Sequence, residues 1–100
     1  MKTIYISGKI SGLDSIDYIS NFRLAKDEVD TLYPNCKIII PLQIIPLFGI
    51  TKWLFYMIAD IWQLRKCTHI AMQPNWIDSK GAVIEYYLAK FIFKLEIIFL

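Results

Sequence analysis

Apolar and polar positions alternate along the chain between a strand-like and a helix-like period. Thr3-Ile4-Tyr5-Ile6-Ser7 is β-branched and aromatic, which predicts a strand, and Gly8-Lys9-Ile10-Ser11-Gly12 reads as the loop leaving its carboxyl end. From Ser15 to Leu32 the spacing of Ile16, Ile19, Phe22, Val29 and Leu32, with Arg23, Lys26, Asp27 and Asp30 on other faces, predicts an amphipathic helix ended by Pro34-Asn35. Lys37 to Ile40 is a near-continuous apolar run of the kind buried in a parallel sheet, and Pro41 stops it. Leu42 to Ile50 reads as an unusually apolar loop, expected to form a cleft wall or a subunit contact. Thr51 is the expected cap of a helix reaching about Lys66, with Trp53, Leu54, Met57, Ile58, Ile61 and Leu64 on its apolar face and Lys52, Tyr56, Asp60 and Gln63 as its polar stripe. His69 to Met72 predicts a third strand, Lys80 to Phe93 a helix apolar nearly all round, and Glu96 to Phe99 a fourth strand.

This alternation implies right-handed β-α-β crossovers and an α/β fold built on a four-stranded parallel sheet in the order 2-1-3-4. With 100 residues the chain is expected to form a single domain, 1–100. Loops at strand carboxyl ends are the usual ligand sites of such sheets, and the glycines of the first loop let backbone approach a phosphate or sugar. That loop is neither a G-x-G-x-x-G nor a P-loop, so a bare turn is an equal reading of it.

The second stretch with chemical content is Asn75 to Glu85. Asp78 and Ser79 are both able N-caps, and the helix start they predict leaves N–H groups that welcome an anionic or hydroxyl-rich ligand at Ser79 to Ala82. Gly81 and Glu85 lie four apart on one face, which leaves space beside the carboxylate. On local pattern alone two readings stand: a ligand held there, or a glycine that permits close helix packing beside a surface glutamate. Asp60 by the same standard reads as part of a solvated helix face.

Composition narrows the classes. Hydrophobic residues make up 56% and aromatics 15%, with mean hydropathy +0.43, more apolar than one small core needs, so a homo-oligomer of at least two copies is expected. The all-round apolar last helix points the same way, packing on the sheet inside and on another subunit outside. A net charge of +2 without a basic stripe argues against a nucleic-acid polymer as partner. Cys36 and Cys67 are far apart and His69 is the single histidine, so neither a zinc site nor a disulfide framework is indicated, no metal or other cofactor is expected, and a reducing cytoplasm fits. Between Ile38 and Ala59 the single formal charge is Lys52, yet Pro41, Pro46 and Gly49 interrupt the run, so no membrane span is expected. Thr3 to Ser7 is too short for the apolar region of a signal peptide.

Taken together, Tyr5 with the S-G-x-I-x-G loop at Ser7 to Gly12, Ala59-Asp60 before the third strand, and the W-x-x-S-x-G-A-x-x-E start at Trp76 to Glu85 resemble the nucleoside 2-deoxyribosyltransferase-like family, above all its small bacterial and phage members. The resemblance implies a flavodoxin-like three-layer domain that cleaves the N-glycosidic bond of a nucleoside or nucleoside 5′-monophosphate, as hydrolase or transferase. It makes Glu85 the nucleophile and Asp60 the acid that protonates the leaving base, in an apolar wall of Trp53, Phe55, Met57 and Trp62. Tyr5 would orient Glu85. Ser79 and Gly81 at the helix start would hold a sugar hydroxyl or phosphate, and Gly8, Lys9, Ile10 and Gly12 would shape the cleft. Two positions depart from the family: Ser11 where relatives acting on monophosphates often carry arginine, and Thr68 where many have aspartate.

Overall fold

The computed structural model describes residues 2–10, 12–41 and 52–100, with the side chains of the second helix from Met57 onward. Expectations for Ser11, for the loop 42–50, for Thr51 and for the side chains of Trp53 and Phe55 lie outside the described residues. Strand β1 spans Thr3–Ser7, helix α1 Ser15–Leu32, β2 Lys37–Ile39, α2 Lys52–Leu64, β3 His69–Met72, α3 Lys80–Tyr87 and β4 Glu96–Phe99. A 3-10 turn at Trp76–Asp78 leads into α3, and a π turn at Leu88–Ile92 continues it. Among the described residues no helix is long and apolar enough to cross a membrane.

The sheet is parallel throughout in the order β2-β1-β3-β4, as the alternation of elements predicts. Alternating side chains of the central strands feed two cores. Ile4, Ile6 and Ala71 meet Phe22, Ala25 and Val29 of α1 on one face. Tyr5, Ile70 and Met72 meet Leu64 of α2 and the Ala82 and Ala89 positions beyond it on the other. Helices therefore cover both faces in three layers, and Ile4 to Ser7 of β1 are fully buried, as central parallel strands are. Chain direction across the sheet reverses between β1 and β3, and the crevice beyond the carboxyl ends of that pair is where such folds take ligands.

The apolar stripe of α1 is shorter than its sequence suggests. Phe22, Ala25 and Val29 are buried, whereas Ile16 is 81% and Leu32 56% exposed. A helix of 18 residues is about 27 Å long and a strand of 5 residues about 17 Å, so its ends overhang the sheet. Asn35, with φ of 66°, makes the left-handed turn into β2 that asparagine tolerates.

The last helix is not regular to Phe93. Its α-helical part ends at Tyr87, and the Phe93 N–H donates to the Leu88 carbonyl at 2.9 Å, five residues back. The wider turn accommodates an extra residue, and Lys94 at φ 55° then sends the chain into β4. The outer face carries Tyr87, Phe91 and Ile92, each more than half exposed.

Candidate functional site

The site begins with period two on β1. Tyr5 and Ser7 point to the same face of the sheet, toward α3, and both are fully buried. On α3 and the π turn that continues it, the buried stripe is Ala82, Glu85 and Ala89, so a carboxylate occupies the middle of an otherwise small and apolar face. The Tyr5 hydroxyl donates to Glu85 Oε2 at 2.5 Å, and the Ser7 hydroxyl donates to Oε1 at 2.7 Å. Such lengths are those of hydroxyls on a charged acceptor, and each carboxylate oxygen keeps a second lone pair for other work.

The start of α3 is fixed by Ser79, whose side chain accepts from the Ala82 N–H at 3.1 Å as the sequence predicts for a cap. Gly81 lets α2 approach: a Cβ there would lie 3.1 Å from Met57 Sδ. One turn beyond Met57, Asp60 is fully buried, not part of a solvated stripe, and its charge acts on Glu85.

Over Glu85 opens a cleft of about 320 Å³. Gly8 and Ile10 of the first loop, Pro41 after β2, Met57 of α2, the run from Asp78 to Ala82 and Glu85 itself line it. Gly8 is closely packed from behind, since a Cβ on it would lie 2.5 Å from the Gln73 carboxamide. The loop is further tied down by the Lys9 N–H, which donates to Asn75 Oδ1 at 3.1 Å, and by the Gln73 N–H on the Ser7 carbonyl at 2.9 Å.

Compared with known proteins, the chain matches over residues 2–99 the family described as Domain of unknown function (DUF4406). It belongs to the DUF4406 family. No curated protein and no solved structure matches it. The match runs from the start of β1 to the end of β4, so the whole sheet and the Glu85 cleft lie inside the DUF4406 domain.

Electrostatics in this DUF4406 site follow from burial. Glu85 is pushed up to about 7, chiefly because its charge is out of water; the Tyr5 and Ser7 hydrogen bonds oppose the rise and the Asp60 charge adds to it. Tyr5 is raised well above the ordinary phenol value by burial, then by the Glu85 and Asp60 charges, so its hydroxyl stays a donor. Among the described residues there is no cluster of three metal-ligating side chains.

Of the residues singled out in the sequence, Gly8, Ile10, Ser79, Gly81 and Glu85 line the cleft, and Tyr5 reaches it through Glu85. Asp60, Lys9 and Gly12 are not among the described residues on its wall. Asp60 is fully buried, and its charge acts on Glu85. Lys9 contributes its backbone, and Gly12, at φ 85°, closes the loop just before the Leu13 N–H meets the Ile10 carbonyl. Ser7 was not identified as a partner of the carboxylate, although its position two residues after Tyr5 places it on the same face. Asp78, read as a cap, lies on the cleft wall instead.

Proposed function

We propose that this chain cleaves the N-glycosidic bond of a nucleoside or nucleoside 5′-monophosphate, as a hydrolase or deoxyribosyltransferase, through a covalent glycosyl-enzyme on Glu85. The observation that carries the reading is a buried carboxylate, fixed by two hydroxyls, at the floor of a cleft sized for a nucleoside. It agrees with the family resemblance of the Ser7 to Gly12 loop and the Trp76 to Glu85 helix start.

In this reading ionised Glu85 attacks the anomeric carbon, and the bond from that carbon to the base nitrogen breaks with its electron pair going to the base. Tyr5 and Ser7 fix the carboxylate so that no reorganisation is needed as positive charge develops on the sugar. Water or a second base then displaces Glu85 from the anomeric carbon. Burial, with a smaller contribution from the Asp60 charge, holds the proton affinity of Glu85 near neutrality, so that a working fraction is ionised. The leaving base takes up a proton as it departs, and the family resemblance gives that role to Asp60, a fully buried carboxyl. Ser79 and the first turn of α3 receive a sugar hydroxyl or a phosphate.

The test is release of free base from a panel of ribo- and deoxyribonucleosides and their 5′-monophosphates, with mass spectrometry of the protein after quenching. The parent is expected to release base and carry a sugar adduct on Glu85, and Glu85→Gln to do neither. Absence of release from folded parent protein across the panel overturns the reading and leaves a noncatalytic nucleotide-binding module, which retains affinity when Glu85 is replaced.

A further inference from the structure

A second cavity, about 220 Å³, adjoins the Glu85 cleft. Ile10 and Pro41 line both, so the two compartments share an edge at these residues. On its far side stand Tyr18, Ile19, Phe22, Arg23 and Lys26 of α1, with Ile40 opposite. Ile19, Phe22, Arg23 and Lys26 are spaced to share one helix face, and Phe22 is the member that also reaches the core under the sheet. This face explains an apolar position that the core leaves over: Ile19 remains 40% exposed beside the cavity.

The two compartments differ in charge. The described lining of the Glu85 cleft carries two acids, Glu85 and Asp78, with Lys80; that of the second cavity carries two cations and no acid. An anionic group attached to a sugar at Glu85 is therefore drawn away from the carboxylates toward Arg23 and Lys26, which leaves Ser79 and the first turn of α3 to a sugar hydroxyl. Lys26 has an ion pair with Asp30 at 3.4 Å, but both side chains are about half exposed, and such a pair yields readily to a phosphate. The apolar interior beyond, walled by Ile19, Phe22 and Ile40 with Tyr18, suits a flat ring.

We infer that the substrate is a nucleotide whose 5′-phosphate is itself joined to a second ring-bearing group, a dinucleotide, with its sugar at Glu85 and its far ring in the cavity under α1. This rests on the Glu85 reading for which end reacts, and its binding component is tested separately from turnover. Glu85→Gln protein keeps acceptor and donor atoms for Tyr5 and Ser7 and removes the nucleophile. It is titrated calorimetrically with the common ribonucleosides, their 5′-monophosphates and the symmetrical dinucleoside pyrophosphates; the parent protein is titrated in parallel, and each protein's fold is checked by circular dichroism. For at least one base the pyrophosphate is expected to bind roughly ten-fold more tightly than the monophosphate. That gain is expected to vanish in Arg23→Gln/Lys26→Gln, whose exposed positions leave nucleoside affinity unchanged. Equal affinity for mono- and dinucleotide, a gain that survives the double substitution, or no binding to folded protein overturns the inference. Base release that does not depend on Glu85 overturns the proposed reaction alone and leaves the binding result standing.

Discussion

Glu85→Gln separates the cost of burying a charge from the rest of the fold. Burial lifts this carboxyl from 4.5 to about 7, a difference worth about 3 kcal/mol. Between those values the folded protein holds a proton that the unfolded chain has released, so the parent loses stability as pH rises through this interval, and the loss is complete above about 7. Below 4.5 both states are protonated and the effect vanishes. Glutamine cannot ionise and keeps partners for both hydroxyls, so the stability of Glu85→Gln relative to the parent should increase by about 3 kcal/mol between pH 4.5 and pH 8. That is a large share of the roughly 5–15 kcal/mol that holds a domain together. Urea unfolding of both proteins at several values between pH 4.5 and 8 measures it, with equal slopes as the control. A difference between variant and parent that is the same at both ends of that interval refutes the argument, because the carboxyl would then not be carrying a buried charge.

Tyr5→Phe removes the donor that most opposes the rise in Glu85, so the acid limb of the base-release profile should move to higher pH; Ser7→Ala should move it the same way by less. At pH 8 each is expected to cost about 1.5–3 kcal/mol in urea unfolding, as for hydrogen bonds to charged groups. Gly8→Ala drives a methyl to 2.5 Å from the Gln73 carboxamide and should cost about 1–3 kcal/mol, with ligand affinity in the cleft reduced in the same calorimetric titration. Ser79→Ala loses the bond to the Ala82 N–H and should cost about 1 kcal/mol, most of it restored in Ser79→Asp.

The fold was legible because its signals are local and repeated. β-branched runs stopped by Pro41 and Pro74, and a helix start at Ser79, delimit β1 to β4 to within a residue, and crossover handedness then leaves few sheet orders. What stayed hidden depends on partners distant in sequence. Asp60 shares the polar stripe of α2 with Gln63, and periodicity alone cannot show that this part of the helix turns toward Glu85. Ser7 closes a strand with a residue that also suits a turn, and its value as a donor depends on a carboxylate 78 residues later. The π turn has no composition of its own, since Leu88 to Ile92 are ordinary helix formers.

That turn also holds slack. Ile97 of β4 packs into the core beside α3, and Ile98 into the core beside α1, so a slip of one residue in β4 would exchange the two faces. Deleting exposed Lys90 takes up the slack instead: the bond from Phe93 to Leu88 becomes an ordinary α-helical one, and both the helix before it and the strand after it keep their places. The same deletion in the short segment 93–95, which has no surplus residue to give up, throws the strand out of phase. Tolerance to a change in chain length is thus concentrated in one turn of this connection, on the side away from Glu85, where length can vary without reaching the cleft.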